Sequence, residues 1–217
     1  MARILKIDPD ASLKDHKKHI CDILNDGGVI AFPTDTYYGL GVNPFNTKGI
    51  HRIFEIKSRQ TNKPLLLLVA SEAQLDQLVQ SRSHEANLLI KKFWPAPLTL
   101  IFNAVPELPD VLTAGTGKVG IRFPGNRWTH RLIEAVGCPL TATSANRSNE
   151  TNLRTAEEVE QAFGSEIDLI IDAGPAPGGN VSTLLDTTVS PPVLVRHGLI
   201  TQEEIESSVK KGCTLVS

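Results

Sequence analysis

Apolar positions along this chain follow two alternating periods. Val29, Ile30, Ala31 and Phe32 form an unbroken apolar run, the length of a buried strand and too short for a helix. The same pattern predicts strands near 5–7, 64–69, 98–102, 119–123, 140–143, 168–171, 183–186 and 193–195. Between them the spacing changes to that of a helix face. Leu13, Ile20, Ile23 and Leu24 make one stripe, with Ser12 as its expected cap and Gly27-Gly28 as its end. Ile50, Ile53, Phe54 and Ile56 make a second, with Thr47 as its expected cap. Further helices are expected over 71–80, 84–93 and 127–136, from Thr155 to about Phe163, and after Thr201. This interleaving predicts one α/β domain over residues 1–217, with its core at about 10–200. The connections 102–119 and 173–182 are rich in Pro and Gly and are expected to be mobile lids.

The run at Val29 ends on Pro33, which lacks a backbone donor and stops a ladder. Thr34, Asp35, Thr36, Tyr37 and Tyr38 follow, then Gly39 and Gly41. Polar groups at a strand end suit a ligand crevice, and they also suit an ordinary turn. The glycines permit a tight turn or a close backbone approach. Lys57, Arg59 and Lys63 cluster at the end of the second helix. Cations suit a helix C-terminus, and they equally suit a triphosphate, which Arg grips with a planar fork and Lys as a point charge.

Other motifs narrow the chemistry. Ala114-Gly115-Thr116-Gly117-Lys118 is not a P-loop, because the spacing is wrong and a strand follows it. Ser144-Ala145-Asn146 lacks the GxSxG of a nucleophile elbow and reads locally as a polar turn. No His and Asp are recognisably arranged to activate Ser144. The six histidines show neither HxxxH nor HExxH spacing, so no protein metal site is expected.

PTDTYYGLG (Pro33 to Gly41) resembles the signature P-T-(D/E)-T-x-Y-G-L-G of the YrdC family, the threonylcarbamoyl-AMP synthases. Lys57-Ser58-Arg59 with Lys63-Pro64-Leu65, Phe93 to Leu100, and Val119 to Pro124 fall in that family's order. So do Thr143 to Ser148, Ser182 to Asp186, and Val195 to Gly198. The resemblance implies a twisted mixed sheet with helices around a large concave cavity. It implies synthesis of L-threonylcarbamoyl-adenylate from L-threonine, bicarbonate or CO2, and ATP, with Mg2+ accompanying the triphosphate. That product supplies a tRNA threonylcarbamoyl-transferase complex acting at tRNA position 37. By resemblance, ATP is met by Lys57, Arg59, Lys63, Lys118, Ser144, Asn146, Asn152 and Arg196. L-threonine is met by Thr36, Arg122, Ala142 and Ser182. Many relatives carry His five residues after the Lys63 position, where this chain has Leu68. That departure leaves a paralogue acting on a different acceptor as one alternative.

Composition changes the picture in one respect. A net charge of −2 argues against a generic nucleic-acid coating protein, yet allows a local basic cleft. Binding of tRNA or double-stranded RNA in that cleft is therefore the other alternative to synthesis. Three widely spaced cysteines, no apolar run of membrane-spanning length and no visible signal segment lead to the expectation of a cytoplasmic setting. The chain stops near Ser217, so the extra C-terminal domain of the longer synthases is expected to be missing.

Overall fold

The computed structural model describes residues 2–58, 60–147, 150–179 and 181–209. In chain order the first elements are β1 (Arg3–Lys6), α1 (Lys14–Asn25), β2 (Ile30–Pro33), β3 (Tyr38–Gly41), α2 (Thr47–Ile56) and β4 (Leu66–Leu68). Then come α3 (Glu72–Asp76), α4 (His84–Phe93), β5 (Leu98–Asn103), α5 (Asp110–Thr113), β6 (Lys118–Arg122) and α6 (Arg127–Val136). The last are β7 (Leu140–Thr141), β8 (Thr143–Ser144), α7 (Ala156–Phe163), β9 (Leu169–Asp172), β10 (Thr183–Asp186), β11 (Val193–Arg196) and α8 (Gln202–Ser208).

The α/β class stands, with the strands divided between two mixed sheets. One has the order β1-β9-β2-β3-β8, the other β11-β10-β5-β6-β4-β7. Residues 140–143, expected as one short strand, join them together with Ser144. Leu140 and Thr141 pair with β4, Thr143 and Ser144 pair with β3, and Ala142 is the crossing residue. Ala142 N donates to Leu66 O at 2.8 Å and Thr141 N to Val42 O at 3.0 Å, so the crossing is fastened to both sides.

The signature segment is a hairpin rather than a strand followed by a loop. Pro33 pairs with Tyr38 and Ile30 with Gly41. Thr34 closes the turn, its Oγ1 donating to Tyr37 O at 2.7 Å and accepting from Thr36 N at 3.2 Å. The two glycines lie inside β3 because space is short there. A Cβ on Gly41 would stand 2.6 Å from Phe32 Cε1 and 2.8 Å from Thr141 O.

Helix α6 has the expected bounds, with Asn126 as cap and Gly137 in the left-handed conformation at its end. Two caps move by one residue. Asn46 caps α2 in place of Thr47, accepting from Gly49 N at 3.1 Å. Leu13 takes the cap position of α1, and Ser12 accepts from Lys14 N beside it. No helix among the described residues is long and apolar enough to cross a membrane.

Candidate functional site

Strand alternation builds one wall of a cavity of about 530 Å³. On β6 every second residue faces it: Lys118, Gly120 and Arg122. Thr99 and Ile101 do so from β5, Leu184 from β10, Leu66 from β4 and Arg196 from β11. The rest of the described lining includes residues of the hairpin turn, Thr34 and Thr36 to Gly39, and of the crossing segment Ala142 to Ser144. The volume lies in the range of small-molecule sites.

The cations on this wall are held differently. Arg122 is 4% exposed, and its Nη2 lies 3.0 Å from Asp35 Oδ1. Burial lowers its pKa, Asp35 opposes that shift, and Arg196 adds to it. Arg196 donates to Ser182 O at 2.9 Å and to Ser182 Oγ at 3.1 Å. Ser182 in turn shares a 2.9 Å hydrogen bond with Thr99. Lys118 Nζ meets Asp186 Oδ2 at 2.9 Å. Burial alone would raise the Asp186 pKa. Hydrogen bonds from Thr188 and Lys118 outweigh it and leave the pKa lowered.

A depressed carboxylate contributes stability that is present above the ordinary carboxylate range and is lost as pH falls through the lowered pKa. Urea midpoints followed from pH 6 downward should therefore fall less for Asp186→Asn than for the wild type. Parallel curves would remove that contribution.

At Ser144 the chain turns sharply. Ser144 Oγ donates to Asn146 Oδ1 at 2.5 Å, and Asn146 Nδ2 donates to Glu150 O at 2.7 Å. Lys57, 2% exposed, sits behind this turn. Its ammonium donates to Ser144 O, to Asn146 O at 2.5 Å and to Asn146 Oδ1 at 3.2 Å. The 173–182 connection, expected as a mobile lid, is tied to the signature hairpin instead. Gly178 N donates to Thr36 O at 2.6 Å, Tyr37 Oη to Gly179 O at 3.1 Å and Tyr38 Oη to Gly174 O at 3.0 Å. Tyr38 is fully buried, which raises its phenol pKa and keeps it a donor.

The cavity thus gathers Thr36, Lys118, Arg122, Ala142, Ser144 and Asn152, together with Ser182 and Arg196. Lys57 and Asn146 stand behind its wall, bonded to the turn. Lys63 is exposed next to Pro64, which lines the cavity. Arg59 lies outside the described residues. Leu68 is fully buried and packs in the apolar cluster with Leu140 and Trp128. Sequence reasoning missed Thr99 and Ser182 as a bonded pair, and it missed Thr34 as the tie of the turn. The one available signal was Thr99, a polar residue inside an apolar run.

Residues 22–198 match the Sua5/YciO/YrdC family, described as telomere recombination. The chain belongs to this family. Within the Sua5/YciO/YrdC proteins it is 40% identical over 186 residues to a threonylcarbamoyl-AMP synthase of Pyrococcus abyssi, covering 86% of this chain and 55% of that protein. It is 39% identical over 188 residues to one of Bacillus subtilis, covering 86% and 54%. The chain therefore spans about half the length of these relatives. The crystal structure of P. abyssi Sua5 complexed with L-threonine superposes with a TM-score of 0.90 at 35% identity, covering 99% of this chain and 63% of that one.

Proposed function

We propose that this chain is a nucleotidyltransferase that makes L-threonylcarbamoyl-adenylate and pyrophosphate from L-threonine, bicarbonate or CO2, and ATP. The product would serve threonylcarbamoylation of tRNA at position 37 by partner transferases. The observation that carries the reading is the cavity itself. Three cations, Lys118, Arg122 and Arg196, line it together with the hydroxyl-bearing Thr36 and Ser144. Similarity to a Sua5 protein solved with L-threonine supports threonine as the amino acid.

The chemistry asks little covalent work of the protein. The threonine amine adds to CO2, forming an N–C bond and releasing a proton. A carbamate oxygen then attacks the α-phosphorus of ATP, the α–β phosphoanhydride bond breaks, and pyrophosphate leaves. Both partners are anionic, so positioning and charge neutralisation supply the rate. Arg122 is suited to the threonine carboxylate, with Thr36, Ala142 and Ser182 around the amino acid. Lys118, Arg196, Ser144 and Asn152 are suited to the nucleotide, with Arg59 and Lys63 at the triphosphate. Lys57 and Asn146 would act through the turn they hold. Among the described residues the cavity lining offers hydroxyl, amide and cationic groups and no carboxylate. That donor set fits Mg2+ carried in on the phosphates, where the ion would neutralise oxygen charge, better than an ion in an all-protein shell.

The volume also favours a nucleotide and an amino acid over duplex RNA as the occupant. The test is an amino-acid panel assayed for ATP- and bicarbonate-dependent pyrophosphate release. Threonine should give the highest turnover. Ser144→Ala should cut it about tenfold or more, the loss of one charge-assisted contact. No release with any amino acid, alongside salt-sensitive tRNA binding, would favour the RNA reading instead.

A further inference from the structure

Asp35 and Arg122 are both nearly closed to solvent, their side chains 13% and 5% exposed. They meet at 3.0 Å, yet the contact lacks hydrogen-bond geometry. Neither carboxylate oxygen of Asp35 accepts a hydrogen bond, and Arg122 Nε donates none. Buried charges are ordinarily both paired and hydrogen-bonded. An exception of this kind persists where the surrounding fold imposes it, and such places concentrate at functional sites.

The fold does impose it. Asp35 lies in the turn closed by Thr34, between Pro33 and Tyr38, which pair as the last residues of the hairpin. Arg122 ends β6 on the cavity face. Asp35 itself does not line the cavity, and its oxygens have no open surface, so it acts through Arg122.

We propose that Asp35 is a positioning residue that holds the Arg122 guanidinium by charge at the cavity wall, ready to receive the carboxylate of the amino-acid substrate. This rests on the reading of Arg122 given under Proposed function. Arg122 Nε is closed off like the Asp35 oxygens, and a contact made by charge without directional bonds leaves the two terminal nitrogens of the guanidinium able to take up a ligand. Arg binds a carboxylate best through two parallel N–H bonds, which a guanidinium already locked by hydrogen bonds would not offer. Of the influences on Arg122, burial and the repulsion from Arg196 both disfavour its charge at this place, and Asp35 opposes them. Without the Asp35 charge, the guanidinium is driven from its seat.

The test is calorimetric titration of L-threonine, and separately of ATP, into wild type, Asp35→Asn and Asp35→Glu. Asp35→Asn should weaken L-threonine binding by about tenfold or more. Asp35→Glu, which restores the charge, should recover most of that loss. ATP affinity should stay within about twofold throughout. Asp35→Asn binding L-threonine as well as wild type, or more tightly, would overturn the inference, the second result making Asp35 a competitor. Loss of ATP and threonine binding together, with a lowered unfolding midpoint, would overturn it as a purely structural effect. The proposed activity fails by a different sign, wild-type protein that releases no pyrophosphate with threonine. The titrations then use whichever panel amino acid the wild type binds, and a wild type that binds none overturns the inference as well.

Discussion

A Lys57→Met variant is expected to lose about 1–3 kcal/mol of stability and about tenfold or more in ATP affinity. Lys57 does not itself line the cavity, so the second loss is indirect. Its ammonium supplies the donors for two backbone carbonyls, those of Ser144 and Asn146, and for Asn146 Oδ1. Ser144 O keeps a 2.9 Å hydrogen bond from Asn146 N, so Asn146 O is the carbonyl left short, and a buried acceptor left without a donor costs roughly 1–3 kcal/mol. That is a large share of the roughly 5–15 kcal/mol that stabilises a typical domain. Methionine keeps the apolar stem and removes the charge. Arg147 reinforces the same turn from the far side, donating to Ile56 O at 3.0 Å and to Glu166 Oε1 at 2.5 Å. The turn should therefore loosen rather than unravel. Urea unfolding reads the first loss and calorimetric titration of ATP the second. A wild-type midpoint with wild-type ATP affinity would show that the turn holds without its cation.

The comparison with Ser144→Ala separates support from contact. Ser144 faces the cavity, and its Oγ also donates to Asn146. Its removal should lower turnover at a small cost in stability. Lys57→Met should lower both together.

Local signals carried much of the fold. Helix α6 was legible because Asn126 and Gly137 mark its ends within the helix's own neighbourhood. The cap of α7 was legible for the same reason, since Thr155 and Glu158 form a reciprocal pair three residues apart. What the sequence could not show is direction. A cation at the end of α2 was visible, but its turning toward Ser144, 87 residues on, depends on tertiary packing. The glycines of the signature admitted either a tight turn or a close backbone approach, and the structure gives the second. Their reason lies in Phe32 and in Thr141, the latter far away in the chain. The division into two sheets turned on Ala142, where an apolar residue gives no local sign that the strand changes partners.

The cations on the cavity wall follow the same rule. Strand alternation put Lys118 and Arg122 on one face of β6, which period-two reasoning finds. Their counter-charges, Asp186 and Asp35, come from other parts of the chain. Resemblance to a family brought such residues to attention, and only coordinates showed which stand in the cavity and which stand behind it.

Gly198→Ala is expected to lose about 3 kcal/mol or more, although the residue touches no proposed substrate. A Cβ there would fall within 3.0 Å of three backbone atoms, Val181 O, Ser182 C and Thr183 N. Backbone cannot rotate aside as a side chain can, so the two segments must separate. They are joined at several points. Leu199 N donates to Val181 O at 3.3 Å, and Thr183 Oγ1 donates to Ile200 O at 2.6 Å. Arg196 holds Ser182 through both its carbonyl and its hydroxyl. Pushing the segments apart therefore displaces a cation and a hydroxyl of the cavity wall together. Turnover with threonine and ATP should fall along with the urea midpoint. Gly137→Ala is the control. Gly137 has open space around it but a φ of +79°, so alanine there meets backbone strain without a clash. Its cost should be near 1 kcal/mol, with the cavity and its turnover unchanged. Equal losses in the two variants would mean that close approach at Gly198 is not what fixes Arg196 and Ser182 in place.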